Sequence, residues 1–330
     1  MKRRAFITLI GGAAAVWPLA AWAQQPDRVR RIGILMAHAE SDPFYQSLVQ
    51  TFRTRLQELG WTDGVNLRID YRWTAGVAER FQTAAAELVA LKPDAILADS
   101  TPSVTALRRE TQTIPIVFVL VTDPVAQGLV ESLAHPGANV TGFQMHEHAM
   151  GGKWLSLLKG AAPHVTRIGV IFNPITAPYG PSYLPVIEAT ASQYQVTAIQ
   201  MLVQSGPEID AAITGFAREP NGGMILMPDS FLVVHADRIL ELAMQYRLPM
   251  IADSPYWTKI GGLIAYGPDL VDMFRGAATN VDRILRGAKP AELPVQAPTK
   301  FFLSVNIKTA KAMGLTISES LLLSADEVIE

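Results

Sequence analysis

The chain has 330 residues, with 28 Lys and Arg against 30 Asp and Glu, and no cysteine. At 49% hydrophobic and 18% charged residues it is neither a disordered tail nor a coiled coil, and its length suits two compact units. A formal net charge of −2 gives no support for a nucleic-acid or polybasic membrane role, and the missing thiols exclude disulfides, thiolate metal sites, cysteine nucleophiles and lipidated cysteine.

The chain opens on Lys2, Arg3 and Arg4, followed by an apolar stretch from Phe6 to Trp22 that Gly11, Gly12 and Pro18 interrupt. Ala21-Trp22-Ala23 closes it. This order reads as an export signal over residues 1–23, cleaved after Ala23 and too short and glycine-rich for a comfortable membrane span. The paired arginines before Ala5-Phe6-Ile7 fit a twin-arginine signal, and a general secretory signal stays open beside it. The remaining 307 residues carry 25 basic and 30 acidic side chains and no other long apolar run. An exported chain with no anchor is expected in the periplasm of a double-membrane bacterium.

Short apolar runs then alternate with segments of helical period. Ile32–Met36 is a strand, after which Phe44, Leu48, Phe52, Leu56 and Leu59 recur at helical spacing. Leu67, Ile69 and Tyr71 alternate with polar residues, Phe81, Ala85, Leu88 and Leu91 mark a helix, and Ala95–Ala98 is a strand. Ile116–Val121 is apolar throughout, as a parallel strand covered on both faces should be. The pattern restarts after Gly142 with a helix around Trp154–Leu158, a strand Ile168–Phe172, a helix from about Ser182, a strand near Ala198–Val203 and a helix from about Pro207. Strands Met224–Met227 and Met250–Ala252 flank a helix, and a long helix carries Leu270, Phe274, Ala277, Val281 and Ile284 on one face. Pro290–Pro298 reads as an extended connection back across the molecule. The expected class is α/β, with two doubly wound parallel-sheet lobes, a hinge and a crevice between them.

Ligands of such sheets bind beyond the carboxyl ends of strands, where helix N-termini present free N–H groups. Three apolar strands end alike here, in Asp99-Ser100, Asp229-Ser230 and Asp253-Ser254, and Thr122-Asp123 closes a fourth. Helix capping accounts for any single one of these. Four at one topological edge point to a ligand. A ligand ammonium needs an anion, for which Asp123, Asp229 and Asp253 are candidates. A ligand carboxylate can sit on the start of a helix lined by Ser100, Thr101 and Ser103. The matching loop of the other unit offers Asn173, Thr176, Tyr179 and Ser182. No arginine stands at these tips, which disfavours phosphate or dicarboxylate ligands. Phe44, Tyr45, Tyr179, Tyr183, Phe231, Tyr256 and Trp257 fall in the same loops, either to stack on an aromatic ligand or to pack in the core.

Enzyme readings are weaker. The chain after residue 23 has no G-x-S-x-G elbow, phosphate loop or G-x-G-x-x-G turn. His146-Glu147-His148 lacks further clustered ligands for a metal, and His38 follows the first strand as a ligand contact or a plain loop histidine.

The stretch DPVAQGLVESLAHPGANVTG at Asp123–Gly142 resembles the substrate-binding proteins of ABC transporters in the tryptophan-binding-like family. So do Lys153–Pro174, Tyr266–Ile317 and the ending SLLLSADEVIE. One departure is Pro136-Gly137-Ala138-Asn139, where that family has Pro-Gly-Gly-Asn. The resemblance implies a periplasmic-binding fold of the first type with three crossovers between lobes. One lobe would take residues 28–144 and about 268–297, the other 145–267 and about 298–330. It implies a monomer that performs no catalysis, needs no cofactor or metal, and hands a small solute to a membrane permease driven by a separate ATPase. The implied solute is an aromatic or hydrophobic amino acid, with a small amide or aromatic carboxylate as alternative. The implied binding positions are His38, Phe44, Ser100, Thr101, Ser103, Thr122, Asp123, Asn173, Tyr179, Ser182, Asp229, Ser230, Asp253 and Tyr256. A ligand-sensing module for a membrane receptor is the competing role, and a hydrolase using Asp229 or Asp253 the remote one.

Overall fold

The computed structural model describes residues 28–330; the expected export signal, 1–23, lies outside them. The chain begins with β1 (Arg30–Met36), α1 (Pro43–Glu58), β2 (Leu67–Trp73), α2 (Ala78–Ala90), β3 (Ala95–Asp99), α3 (Thr101–Glu110), β4 (Ile116–Val121) and β5 (Val140–Gln144). These five strands form one parallel sheet in the order β2-β1-β3-β4-β5.

Next come α4 (Met150–Ala161), β6 (Arg167–Phe172), α5 (Gly180–Gln193), β7 (Thr197–Leu202), α6 (Gly206–Phe216) and β8 (Gly222–Leu226). They are followed by α7 (Ser230–Val234), α8 (Ala236–Gln245), β9 (Met250–Ala252), α9 (Pro255–Lys259), β10 (Ile264–Pro268) and α10 (Leu270–Leu285). The chain ends with β11 (Phe301–Asn306), α11 (Ile307–Met313), α12 (Glu319–Leu323) and β12 (Glu327–Ile329). The second sheet runs β12-β11-β10-β9-β8-β6-β7. It is parallel except where β11 pairs antiparallel with β10, so it is mixed rather than purely parallel.

Local sequence explains these elements. In α1, Asp42 caps the N-terminus, Pro43 takes the first position that needs no N–H, and Tyr45, Leu48, Val49, Phe52 and Leu56 form the buried face. In α10, Asp269 accepts from the Asp272 N–H, and the face from Leu270 through Phe274 and Val281 to Leu285 is buried. Although α10 follows the second sheet, it returns to pack on α1 and the back of β3, β4 and β5. Helices α2 and α3 cover the opposite face of that sheet through a separate cluster containing Phe81, Leu88, Val104 and Phe118. After a 3-10 turn at Pro290–Glu292, Gln296 bridges to Phe143 before the chain crosses into β11. Among the described residues no helix is long and apolar enough to cross a membrane.

Strand β5 carries one steric requirement. A Cβ at Gly142 (φ +154°) would stand 2.1 Å from the Phe118 carbonyl oxygen, beside the point where the β4–β5 register shifts. Neither backbone can yield without breaking the ladder, so only glycine fits. At Gly64 (φ +81°) a Cβ meets nothing within 4 Å. Gly142→Ala should therefore cost at least ~3 kcal/mol in thermal or urea unfolding, and Gly64→Ala only about 1 kcal/mol. Equal losses would contradict this packing argument.

Candidate functional site

Residues beyond the carboxyl ends of β1, β3 and β4 face those beyond β6, β8 and β9 along a narrow gap between the sheets, where the Tyr256 hydroxyl reaches Asp42 and Thr122 lies beside Tyr179 and Tyr183. On the first side, β1 runs into Ala37 and His38, and both are tied to Asp99 at the end of β3. The Ala37 N–H donates to Asp99 Oδ1 at 2.6 Å, and His38 Nδ1 lies 2.7 Å from Asp99 Oδ2. Asp99 is completely buried. Tyr45, from the first turn of α1, stacks on the His38 ring at 3.3 Å between centroids and 11° between planes.

Ser100 follows with φ 71° and ψ 156°, a conformation that costs a non-glycine residue about 1–3 kcal/mol. Its side chain does not cap α3; its hydroxyl lies 3.4 Å from that of Ser103. The start of α3 is thus left without a side-chain cap, and Thr101 and Ser103 are buried beside it. The Thr101 and Thr122 hydroxyls are buried and have no hydrogen-bond partner. Each such group costs the fold roughly 1–3 kcal/mol.

On the second side Asp229 is fully engaged. Its Oδ2 accepts from the Asn173 N–H at 2.7 Å, and its Oδ1 accepts from the Thr176 hydroxyl at 2.6 Å and the Phe231 N–H at 2.9 Å, capping α7. Burial nevertheless pushes its pKa up to about 6, against those hydrogen bonds and the nearby His38. Burial takes Asp253 up to about 7, opposed by hydrogen bonds from its own N–H and from Trp257 and by His38, and reinforced by Asp229. Tyr179 donates to the Pro228 carbonyl at 2.5 Å. Tyr183 is completely buried, stacked on Trp154 at 5.6 Å, and its hydroxyl has no partner; nor has that of Ser230. Thr122 from the first lobe lies close to both Tyr179 and Tyr183. Burial raises the Tyr45, Tyr179 and Tyr183 phenols, which keeps them protonated donors.

The structure brings His38, Phe44, Ser100, Thr101, Ser103, Thr122, Asn173, Tyr179, Asp229, Ser230, Asp253 and Tyr256 to this gap. Ser182 departs from the expectation. Ser182 is exposed on the first turn of α5, because the helical period that turns Tyr179 and Tyr183 inward turns residue 182 outward. Asp123 lies near Tyr183; its Oδ1 accepts from the Ala126 N–H at 3.1 Å, and its Oδ2 is 3.1 Å from His148 Nε2. The Asn173 side chain closes its own loop by accepting from the Ile175 N–H at 2.8 Å.

Asp42, His148 and Trp154 are contributors that strand-end reading missed, since all three lie outside the strand tips. His146 is buried against Trp154, and desolvation lowers it to about 3. Among the described residues no group of three or more His, Asp or Glu is placed to hold a metal ion.

Residues 34–329 match the family described as ABC transporter substrate binding protein. The chain belongs to this family. Members of the family are solute-binding proteins, not enzymes. A curated tyrosine-binding protein of Clostridioides difficile strain R20291 is 28% identical over 289 residues, 87% of this chain and 81% of that protein. A Streptococcus pneumoniae ABC domain in complex with L-Trp superposes with TM-score 0.83 at 25% identity, covering 91% of this chain and 99% of that one. A ligand-free, open Clostridium difficile substrate binding protein with adhesive properties gives TM-score 0.65 at 25% identity, covering 92% and 99%. The fold is that of the type I periplasmic binding proteins.

The raised Asp253 carboxyl has a consequence for stability. Unfolded, it titrates near 3.8; folded, near 7, so the native state holds the extra proton between those values. The cost of ionising it is absent below about pH 4 and complete above about pH 7. Asp253→Asn should therefore melt higher than wild type at pH 8 and alike at pH 4, by scanning fluorimetry of the solute-free protein. A variant that melts lower at pH 8 would contradict the assignment.

Proposed function

We propose that this chain is the periplasmic solute-binding component of an ABC importer, capturing an aromatic or hydrophobic amino acid between its lobes. In this reading the export signal over 1–23 is removed on the way to the periplasm. Residues 28–144 with about 268–297 form one lobe, and 145–267 with about 298–330 the other. The loaded monomer docks on a membrane permease driven by a separate ATPase.

One observation carries the reading. The buried Thr101 and Ser230 hydroxyls have no partner, and those of Thr122 and Tyr183 face each other without a well-aligned hydrogen bond; all four converge from both sheets on a gap holding buried carboxylates and aromatic rings. Closing over nothing leaves those groups unpaired, at roughly 1–3 kcal/mol each. A solute that pairs them removes the penalty, so it binds the closed arrangement better than the open one, which is the only way a ligand can drive closure. The solute carboxylate would sit on the start of α3 with Thr101, and its ammonium on Asp253, whose oxygens are less committed than those of Asp229. Phe44, Tyr45 and Tyr256 would wall the apolar part. The closer likeness to the L-Trp complex than to the open, ligand-free relative, at equal identity, supports a closed arrangement here.

Calorimetric titration of the exported protein with tyrosine, tryptophan, phenylalanine and leucine, alongside small amides and aromatic carboxylates, tests this. An amino acid should bind, with affinity lost about tenfold in Asp253→Asn, about fivefold in Thr101→Val and not at all in Ser182→Ala. Because an ammonium needs ionised Asp253, wild-type affinity should drop about tenfold from pH 8 to pH 6. Amides or carboxylates binding in place of amino acids, with no pH dependence, would remove the zwitterion reading.

A further inference from the structure

Two residues that face each other across the gap are already satisfied by one another. Asp42 caps α1 through Oδ1, which accepts from the Phe44 N–H at 2.9 Å and the Tyr45 N–H at 3.3 Å. Its Oδ2 is left to accept from the Tyr256 hydroxyl at 3.1 Å. Tyr256 belongs to α9 of the other sheet, three residues beyond Asp253. Its ring meets Phe44 at 5.2 Å and Tyr45 at 5.7 Å, so the contact is a packed aromatic joint as well as a hydrogen bond. Nearby, a Cβ at Gly76 would stand 3.2 Å from the Ser230 carbonyl oxygen, so the loop after β2 also lies directly on α7.

We propose that Asp42 and Tyr256 form a clasp that joins the lobes and sets the open–closed balance whatever the solute; this rests on the solute-binding reading above. The hydroxyl is the donor and the carboxylate the acceptor, and burial together with Asp42 raises the phenol, which keeps the proton on it. Both partners are held from their own side: Asp42 by the α1 amides, Tyr256 by burial and by the neighbouring Trp257 ring at 5.8 Å. The bond exists only when the lobes meet, so it adds free energy to the closed state alone. A protein-only contact of this kind pre-forms part of the closed population and lowers what the solute must supply. Tyr256 therefore acts on affinity through its hydroxyl as a positioning residue, and its hydroxyl does not read the solute.

The test uses Tyr256→Phe, which keeps the ring, and Asp42→Ser, which keeps a capping hydroxyl but is too short to reach across. The natural chain has no cysteine, so Glu79→Cys on α2 and Gln245→Cys at the far end of α8, both exposed positions, carry a spin-label pair on the two sides of the gap. In the solute-free protein both clasp variants should move the distance distribution outward, lowering the closed-to-open ratio about fivefold. Each bound solute should weaken by one common factor of up to about five. Unchanged distances, a shift in only one variant, or a loss confined to one solute would overturn the clasp. The distance measurement needs no ligand, so it decides the clasp even if every amino acid fails to bind.

Discussion

Three carboxylates, Asp99, Asp229 and Asp253, are buried at one gap, and among the described residues no lysine or arginine pairs with any of them. Buried charge without a counter-ion is expensive, so each carboxylate needs its own remedy. Asp99 takes the Ala37 amide and the His38 ring. Asp229 takes two amides and a hydroxyl. Asp253 takes the Trp257 indole and its own amide, and it holds a proton to about pH 7. The least compensated group is thus the one that gains most from an arriving cation, and the architecture positions it opposite His38 and Tyr45.

The same logic separates stability from binding. A site that leaves hydroxyls unpaired and one carboxylate desolvated is a poor core and a good receptor. The strained Ser100 backbone fits that pattern, because it stands at the start of α3, which no side chain caps. In the proposed function, the energy these groups forgo becomes affinity when a solute supplies the missing partners. In the proposed clasp, the aromatic joint of Tyr45, Phe44 and Tyr256 contributes part of the closure with no solute present.

Much of this was legible in the residues. The apolar runs ending in Asp-Ser located the strand tips, since a parallel strand buried on both faces is a nearly continuous hydrophobic run that a polar turn must end. The expected connection across Pro290–Pro298 does cross between the sheets. What period and composition could not separate was a capping carboxylate from a free one. Asp229 caps α7 and Asp123 caps its own turn, whereas Asp99 caps nothing and fastens two strands. Ser182 reads as a loop tip at the very start of the expected helix, whereas α5 begins at Gly180 and its period turns residue 182 outward beside the buried Tyr183. The antiparallel β11 was hidden because its pairing with β10 depends on a return from the far lobe. Asp42 reads as an ordinary helix cap in the chain, and only the tertiary approach of Tyr256 gives it a second task.

The central claim is that one zwitterion is held between the two rows of strand ends. A crystal structure grown with the tightest-binding amino acid tests it most directly. The account expects density between α3 and the tips of β8 and β9, with the solute nitrogen within hydrogen-bond reach of Asp253 and its carboxylate at Thr101. Density at any other surface, or a solute whose nitrogen faces away from Asp253, would contradict it.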